Sequence, residues 1–354
     1  MLFDRFILKS FLWIFLSVSV VGVFIVSLYA LADFLVGFKV KQTRIALEYF
    51  LNLLPLGFYY ISPLILSVAL FVFLKRVIDR KIDLVAQSFT LSPFRFFLPI
   101  LTFSLLLSLL FLIGNQYLFP KNAKQLRFIE KTYKKKQKVE GIVRNFWFLK
   151  KTDEGNKYYF VEYLDLSSKR FANFFFLSTE RLEPVEYIRA FAGTWLGTKV
   201  FIEKGFEYNF KREQGRTLES VSFEVGLEAK DLELFAETVD FLPLYDLYKL
   251  AEKGKYLGYN SDIYLGETLF RVNFSLLPIV LSLFIFYLFV KTRNLKKALI
   301  VFLIFLPIIW VALMFPKVGT QKTNQPFLLT AIPSAIIYLI ALKGIYNLRK
   351  GFRV

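Results

Sequence analysis

The sequence predicts a membrane protein of six spanning helices with an all-β, jelly-roll-like domain inserted between the third and the fourth. Three observations carry that expectation. Six stretches contain no charged residue, 10–32, 49–74, 96–120, 272–290, 298–316 and 323–342, each near or above the roughly 18 residues that cross a bilayer as a helix. Between the third and fourth of them, residues 120–271 carry 26 Lys and Arg against 23 Asp and Glu, and from 141 to 240 short apolar and polar runs alternate. The whole chain of 354 residues is 56% hydrophobic and includes 43 Phe, an apolar content above that of a soluble domain.

The first stretch begins near the start of the chain but runs too long for a cleaved leader. No small-x-small cleavage site precedes the return of charge, so it reads as a retained span. In the second, Pro55 and Pro63 interrupt the helical pattern, so the helix bends, and the carbonyls that proline leaves free need partners from neighbours or water. Residues 76–95 are too polar to span, and their apolar residues at 77, 78, 82, 85, 86 and 89 form one stripe. They predict a helix over about 77–93 lying along the membrane surface. It either rests on lipid headgroups through its basic residues or docks into a partner protein through Asp79, Asp83, Gln87 and Ser92.

Residues 121–140 are basic and helix-like, continuing the third span. Strands are predicted at Ile142–Leu149, Tyr158–Leu166, Phe171–Leu177, Tyr187–Phe191, Lys199–Glu203, Glu207–Arg212 and Glu219–Val225, with turns at 153–155, 167–168 and 204–205. Strands at this spacing make an antiparallel sandwich, jelly roll or barrel. Phe146-Trp-Phe148, Tyr158-Tyr-Phe160 and Phe174-Phe-Phe176 put aromatic rings on both faces of their strands. One face packs a core, or lines a groove that receives acyl chains. Leu242–Leu250 has helical spacing with Pro243 in its first turn. The chain therefore divides into 1–120 (three spans and the surface helix), 121–265 (the β domain with flanking helices) and 266–354 (three spans and a tail).

Charge sets the orientation. Of the net +18, residues 120–271 carry only +3 and the membrane part +15, which is a topology signal rather than a footprint for nucleic acid. One side holds 15 Lys and Arg on its short loops and termini, and the other holds five, Lys39, Lys41, Arg44, Lys317 and Lys322. The richer side is cytoplasmic. Both termini then face the cytoplasm and the β domain lies outside.

With no Cys and no His, disulfides, thiolate zinc sites and the commonest metal ligand and general base are excluded. The nearest string to a phosphate-binding loop, Gly193-Thr-Trp-Leu-Gly197-Thr-Lys199, has the wrong spacing and a strand-like context. No catalytic residue, metal ligand or bound cofactor is predicted. Transport driven by ATP requires another chain to hydrolyse it. Beyond Lys9 and Asp33 near helix ends, the spans are expected to carry no buried charged pairs of the kind an ion relay needs, which argues against a secondary transporter.

The run from Tyr49 through Pro55, Ile61-Ser-Pro63, Arg76, Asp83-Leu-Val-Ala and Leu91-Ser-Pro-Phe-Arg95 resembles the start of the LptF/LptG (YjgP/YjgQ) permeases. Leu242-Pro-Leu-Tyr-Asp-Leu-Tyr, Glu267-Thr-Leu-Phe-Arg271 with Pro278, and Ile332-Pro-Ser-Ala-Ile-Ile-Tyr338 extend the likeness along the chain. The acid opening the surface segment is Asp83 where the family has Glu, its spacing to Leu91-Ser92 is shifted by one residue, and Thr90 stands for the customary Gly. Leu31-Ala-Asp33-Phe34 looks closer to the LptG branch.

The resemblance implies a subunit of a complex that exports lipopolysaccharide. It implies a second six-helix permease of the same family, a cytoplasmic ABC ATPase dimer that uses the ATP, and periplasmic bridge proteins that receive the glycolipid from the jelly roll. Anionic phosphates above apolar chains call for cations over an apolar wall. Lys39, Lys41, Arg44, Lys317 and Lys322, with Asp33 beside them, are candidates for lipid binding; simple anchoring by snorkelling is the alternative. Two other readings compete: an ABC-type permease releasing lipid or lipoprotein, and a non-transporting anchor with a periplasmic binding domain.

Overall fold

A computed structural model describes residues 2–36, 43–88, 92–134, 142–152, 155–181, 183–226, 239–257, 260–323 and 325–349. They fall into two compact units, Met1–Gln137 with Gly266–Val354, and Lys138–Leu265. In chain order the elements are α1 (Leu2–Val36), α2 (Thr43–Asp79), α3 (Ile82–Ser88), α4 (Pro93–Tyr117), α5 (Phe119–Ile129), β1 (Ile142–Thr152), β2 (Gly155–Asp165), β3 (Arg170–Glu180), β4 (Glu183–Leu196), β5 (Lys199–Asn209), β6 (Gln214–Glu224), α6 (Leu244–Leu257), α7 (Ser261–Thr292), α8 (Leu295–Lys322) and α9 (Phe327–Arg349). Helices α1, α2, α4, α7, α8 and α9 are long and apolar enough to cross a membrane. The expected class, a multi-pass helical membrane protein with an inserted all-β domain, is the one observed.

In the helical unit the core gathers on α7. It buries Phe274, Leu277, Leu281, Ile285 and Phe286 against α2, α4 and their neighbours. Phe97 of α4 stacks on Phe286 at 3.9 Å and 10°. Helix α2 runs unbroken through Pro55 and Pro63. Pro63 has no N–H for the carbonyl of Tyr59, and the Ser62 hydroxyl donates to that oxygen instead at 2.9 Å. The expected partner for the freed carbonyl is thus the adjoining side chain.

The apolar stripe predicted as one helix over 77–93 is divided. Val77 and Ile78 complete α2, Lys81 adopts a left-handed conformation (φ 53°) that ends it, and α3 begins anew at Ile82, described as far as Ser88. The residue before a proline is pushed out of the helical region; Ser92 accordingly sits extended and caps α4, accepting from the Arg95 N–H, with Pro93 in the first turn. Phe89 lies outside the described residues. The helix after the third span is α5, continued by a π-helical turn, Glu130–Lys134.

The second unit is one six-stranded sheet in the order β1-β2-β3-β4-β5-β6, each strand antiparallel to its chain neighbours. The string compared with a phosphate loop is the β4–β5 hairpin, turning at Gly197 (φ 59°). Two predicted strands, Lys199–Glu203 and Glu207–Arg212, prove to be largely one, β5. Its supposed turn at Lys204-Gly205 falls on a line that crosses the whole sheet. Along it the ladders skip Asn145, Glu162, Asn173, Phe191, Glu203 and Ser220, and Asn145, Asn173 and Ser220 have positive φ. Left-handed residues inside strands make bulges that bend them, and Asn tolerates that conformation better than most.

Strands β2 to β5 change their buried face at this line: Val161 then Leu164, Phe171 then Phe174, Ala190 then Gly193, Ile202 then Gly205. The sheet is therefore creased, and both halves turn their apolar side chains onto one core containing Phe148, Tyr159, Phe174, Phe176, Trp195 and Val200. Asn173 donates to Glu162 across the crease at 2.7 Å. Gly205 is needed there for close approach, since a Cβ would stand 2.7 Å from the Arg189 carbonyl oxygen. At the β2–β3 turn, hydrogen bonds from Ser167 and Ser168 hold the Asp165 carboxyl down at about 2. Helix α6 buries Leu247, Leu250 and Ala251 with Leu242 and Tyr264 in a separate small cluster.

Candidate functional site

The most unusual chemistry in the helical unit is a group of charges enclosed between α7 and α8. Glu267 and Arg271 are four residues apart on one face of α7, so their side chains meet, with Arg271 Nε 2.8 Å from Glu267 Oε1. Both are buried, Glu267 at 2% exposure and Arg271 at 5%. From α8, Lys317 Nζ lies 3.0 Å from the other carboxylate oxygen and Gln321 donates to that same oxygen at 3.3 Å. Lys317 also stands over the Phe270 ring at 5.1 Å. Gly266 lets the helices come this close: a Cβ there would collide with Thr320 and with the Pro316 carbonyl.

This corrects the expectation that the spans enclose no charged pairs. Charge-free windows begin at 272, after Arg271, whereas α7 begins at Ser261; the window count cuts the helix at its own charged turns. The i, i+4 spacing of Glu267 and Arg271 was the available signal.

A chain of neutral polar contacts continues along α7. Asn273 donates to Ser334 at 2.8 Å and receives the Tyr338 hydroxyl at 2.8 Å, joining α7 to α9. Asn115 of α4 donates to Tyr59 of α2 and to Ser275 of α7, each at 3.0 Å. Ser104 and Ser282 join α4 to α7 at 2.8 Å. Ser334 and Tyr338 fall in the Ile332–Tyr338 string that carries part of the resemblance, but none of these residues was given a role from sequence, because uncharged polar residues do not interrupt a hydropathy window. Deeper between α7, α8 and α9 lies a cavity of about 260 Å³ lined only by apolar side chains, including Phe284, Phe305, Ile309 and Ile337. Its chemistry suits an alkyl chain.

The other predicted residues are more scattered. Arg44 in the first turn of α2 and Lys322 in the last turn of α8 are exposed, as is Asp33 in the last turn of α1; Lys39 and Lys41 lie outside the described residues. Near that end of α1, Phe34 stacks on Tyr49 at 4.0 Å, and the Tyr49 hydroxyl donates to Glu130 at 3.0 Å. Asp79 ends α2 exposed, and Asp83 opens α3 partly buried. Leu84 and Val85 leave two adjacent apolar side chains uncovered at 56% and 49% exposure. The side chain of Gln87 lies outside the described residues, and Ser92 serves as the cap of α4. Arg95 in that first turn pairs with Asp4 of α1 at 3.1 Å, and Arg349 of α9 covers the Phe94 ring at 5.2 Å.

In the β unit the aromatic triplets divide as the pleat requires. Phe148, Tyr159, Phe174 and Phe176 are at most 3% exposed in the core. Phe160 and Phe175 pair at 5.7 Å on the other face, where Arg189 lies over both Phe175 and Phe191. The inward row at one end of the core is polar, Lys150, Lys157, Ser178, Glu186, Asn209 and Gln214. Burial there, and then the neighbouring Glu207, pushes the Glu186 carboxyl above its ordinary value. Among the described residues no group of three or more acidic side chains is placed to hold a metal ion.

A family model described as "Lipopolysaccharide export system permease LptF/LptG" matches residues 5–347. An Aquifex aeolicus (strain VF5) protein described only as uncharacterized is 49% identical over 356 residues, covering all of both chains. Six spanning helices, an antiparallel β unit inserted after the third, and a match over almost the whole length together make this chain a member of the LptF/LptG family of lipopolysaccharide export permeases.

Proposed function

We propose that this chain is a permease subunit of an ATP-driven complex that withdraws lipopolysaccharide from the inner membrane and passes it through the β unit toward the outer membrane. The observation that carries the reading is the family match along residues 5–347, which takes in the helices and the β unit together. In this reading the chain binds no cofactor and catalyses no reaction. A cytoplasmic ABC ATPase dimer hydrolyses ATP, a second six-helix permease completes the path, and periplasmic bridge proteins accept the lipid. The Leu31-Ala-Asp33-Phe34 pattern favours the LptG branch over LptF. Both termini face the cytoplasm and the β unit the periplasm, on the strength of the 15 Lys and Arg gathered on one set of short loops and termini.

The ATPase docks on α3, where exposed Leu84 and Val85 supply apolar contact and Asp79, Asp83 and Gln87 supply polar contact. Ser92 fixes where α4 begins. Arg95 with Asp4, and Phe94 with Arg349, tie that end of α4 to α1 and α9, so a push on α3 reaches three spans. Lys39, Lys41, Arg44 and Lys322, beside Asp33 at the same rim, receive lipid phosphates, and Lys317 does so once it leaves Glu267. Because the inner face of the creased sheet is filled by its own side chains, passage of acyl chains requires its two halves to part.

The test is gentle purification of the tagged chain from native membranes, followed by mass spectrometry of proteins and lipids together. An ABC ATPase, a second six-span chain and a lipid A species are expected. Recovery of the chain alone, or with periplasmic proteins only, overturns this reading in favour of a membrane anchor.

A further inference from the structure

One carboxylate, 2% exposed, faces both Arg271 and Lys317 inside the helical unit. Enclosed charge is costly and is retained in membrane proteins where it has work to do.

The two cations are not equivalent. The Arg271 side chain is 6% exposed and comes from the same helix as Glu267, whereas that of Lys317 is 26% exposed and comes from α8. Lys317 is also the partner with a flexible four-carbon arm and a compact ammonium. If it swings away, Glu267 keeps Arg271 at 2.8 Å and Gln321 at 3.3 Å, so neither the carboxylate nor the guanidinium is stranded. The reverse does not hold, because loss of Arg271 would break the enclosed pair. The exposure and the length of the arm single out Lys317 as the cation that can exchange partners.

We propose that Glu267 is a resident counter-ion for Lys317 that the phosphate of an anionic lipid headgroup displaces. Until such a phosphate arrives, Glu267 keeps Lys317 folded against Phe270 and ties α7 to α8; when it arrives, Lys317 transfers to it and the tie between the helices is released. Glu267 is a positioning residue, setting how readily Lys317 accepts an anion. The proposal rests on the lipid-export reading of Lys317 and adds what controls it.

The test uses the complete complex in nanodiscs, with a photo-crosslinking benzoylphenylalanine at Val318, which is 39% exposed beside Lys317. Three bilayers are compared: phosphatidylcholine alone, phosphatidylcholine with phosphatidylglycerol, and phosphatidylcholine with purified lipopolysaccharide. Glu267→Gln should raise anionic-lipid crosslinking about fivefold or more, the lower range for coupling between two ligands, and Lys317→Met added to it should abolish the rise. A rise with lipopolysaccharide alone assigns the site to that glycolipid; a rise with both anionic lipids assigns it to lipid phosphate in general.

If Lys317→Met lowers crosslinking in the parent but Glu267→Gln changes nothing, Lys317 binds lipid and the counter-ion role is wrong. If Lys317→Met changes nothing either, the lipid reading of Lys317 fails and the proposal fails with it. Should the Gln variant not assemble, Glu267→Asp keeps the charge beside Arg271 while withdrawing it from Lys317. It must move crosslinking in the same direction, and an unchanged or lower value overturns the proposal.

Discussion

Helices α1 and α7 differ little in apolar character, and α1 is the more apolar of the two, yet α7 is largely enclosed and α1 largely uncovered. Trp13, Val20 and Tyr29 of α1 are 64%, 68% and 78% exposed, while Phe274, Leu281 and Phe286 of α7 are at most 2% exposed. Hydropathy does not separate them because lipid tails are as apolar as Leu, so moving an aliphatic side chain from lipid to protein gains little. What distinguishes α7 is a series of polar groups along its length bonded to other helices: Glu267 and Asn273 to α8 and α9, Ser275 and Ser282 to α4; α1 meets α4 through Asp4 in its first turn. Within a membrane, polar and small residues identify the central helix, and apolar content identifies only that a helix spans.

The largest test of this comparison is Glu267→Ala. It removes the carboxylate paired with buried Arg271 and should lower the stability of the detergent-solubilised protein by about 3–5 kcal/mol, the usual cost of breaking a buried ion pair. Thermal unfolding measures it, and a change as small as that for Val20→Ala on α1, below about 0.5 kcal/mol, would remove the distinction between the helices. Asn115→Ala comes next. Losing its bonds to Tyr59 and Ser275 should cost about 0.6 kcal/mol and at most about 1.7, as interhelical hydrogen bonds in membranes do.

The smallest effect sharpens the contrast from the β unit, where burial penalises charge. Since the folded state holds the Glu186 carboxyl above its ordinary value, ionisation opposes folding. The penalty is absent below about pH 4, the unfolded range for Glu, and is complete only above the raised folded value. Glu186→Gln should therefore stabilise the β unit at pH 7 by less than about 1 kcal/mol after solvent screening and change nothing near pH 4. Hydrogen exchange of β4 in the two variants at both values reads this out, and destabilisation at pH 7 would sink the argument.

Six charge-free stretches were enough to read six spanning helices from sequence, because a bilayer imposes length and apolarity on every crossing. The β unit was legible as strands, but β5 was divided at Lys204-Gly205. Gly beside Lys reads locally as a turn, whereas here it answers the close approach of β4, a fact of the neighbouring strand. The surface helix was drawn too long because the stripe at 77, 78, 82, 85 and 86 keeps helical spacing across the break at Lys81, whose positive φ no pattern of apolar residues announces. In the site, Lys317 was named for its charge and its nearness to a span end. That it turns inward to Glu267 depends on how α8 lies on α7, set partly by the absence of a side chain at Gly266.

The strand order carries a consequence for synthesis. Among the described residues, every ladder of the β unit joins strands adjacent in the chain, so each new strand finds its partner already made, and the chain closures are short. All residues of its main core, Phe148 to Val225, precede Ser261. The β unit can complete its hydrogen bonding while the last three spans are still being translated, leaving no open strand edge waiting on residues that do not yet exist.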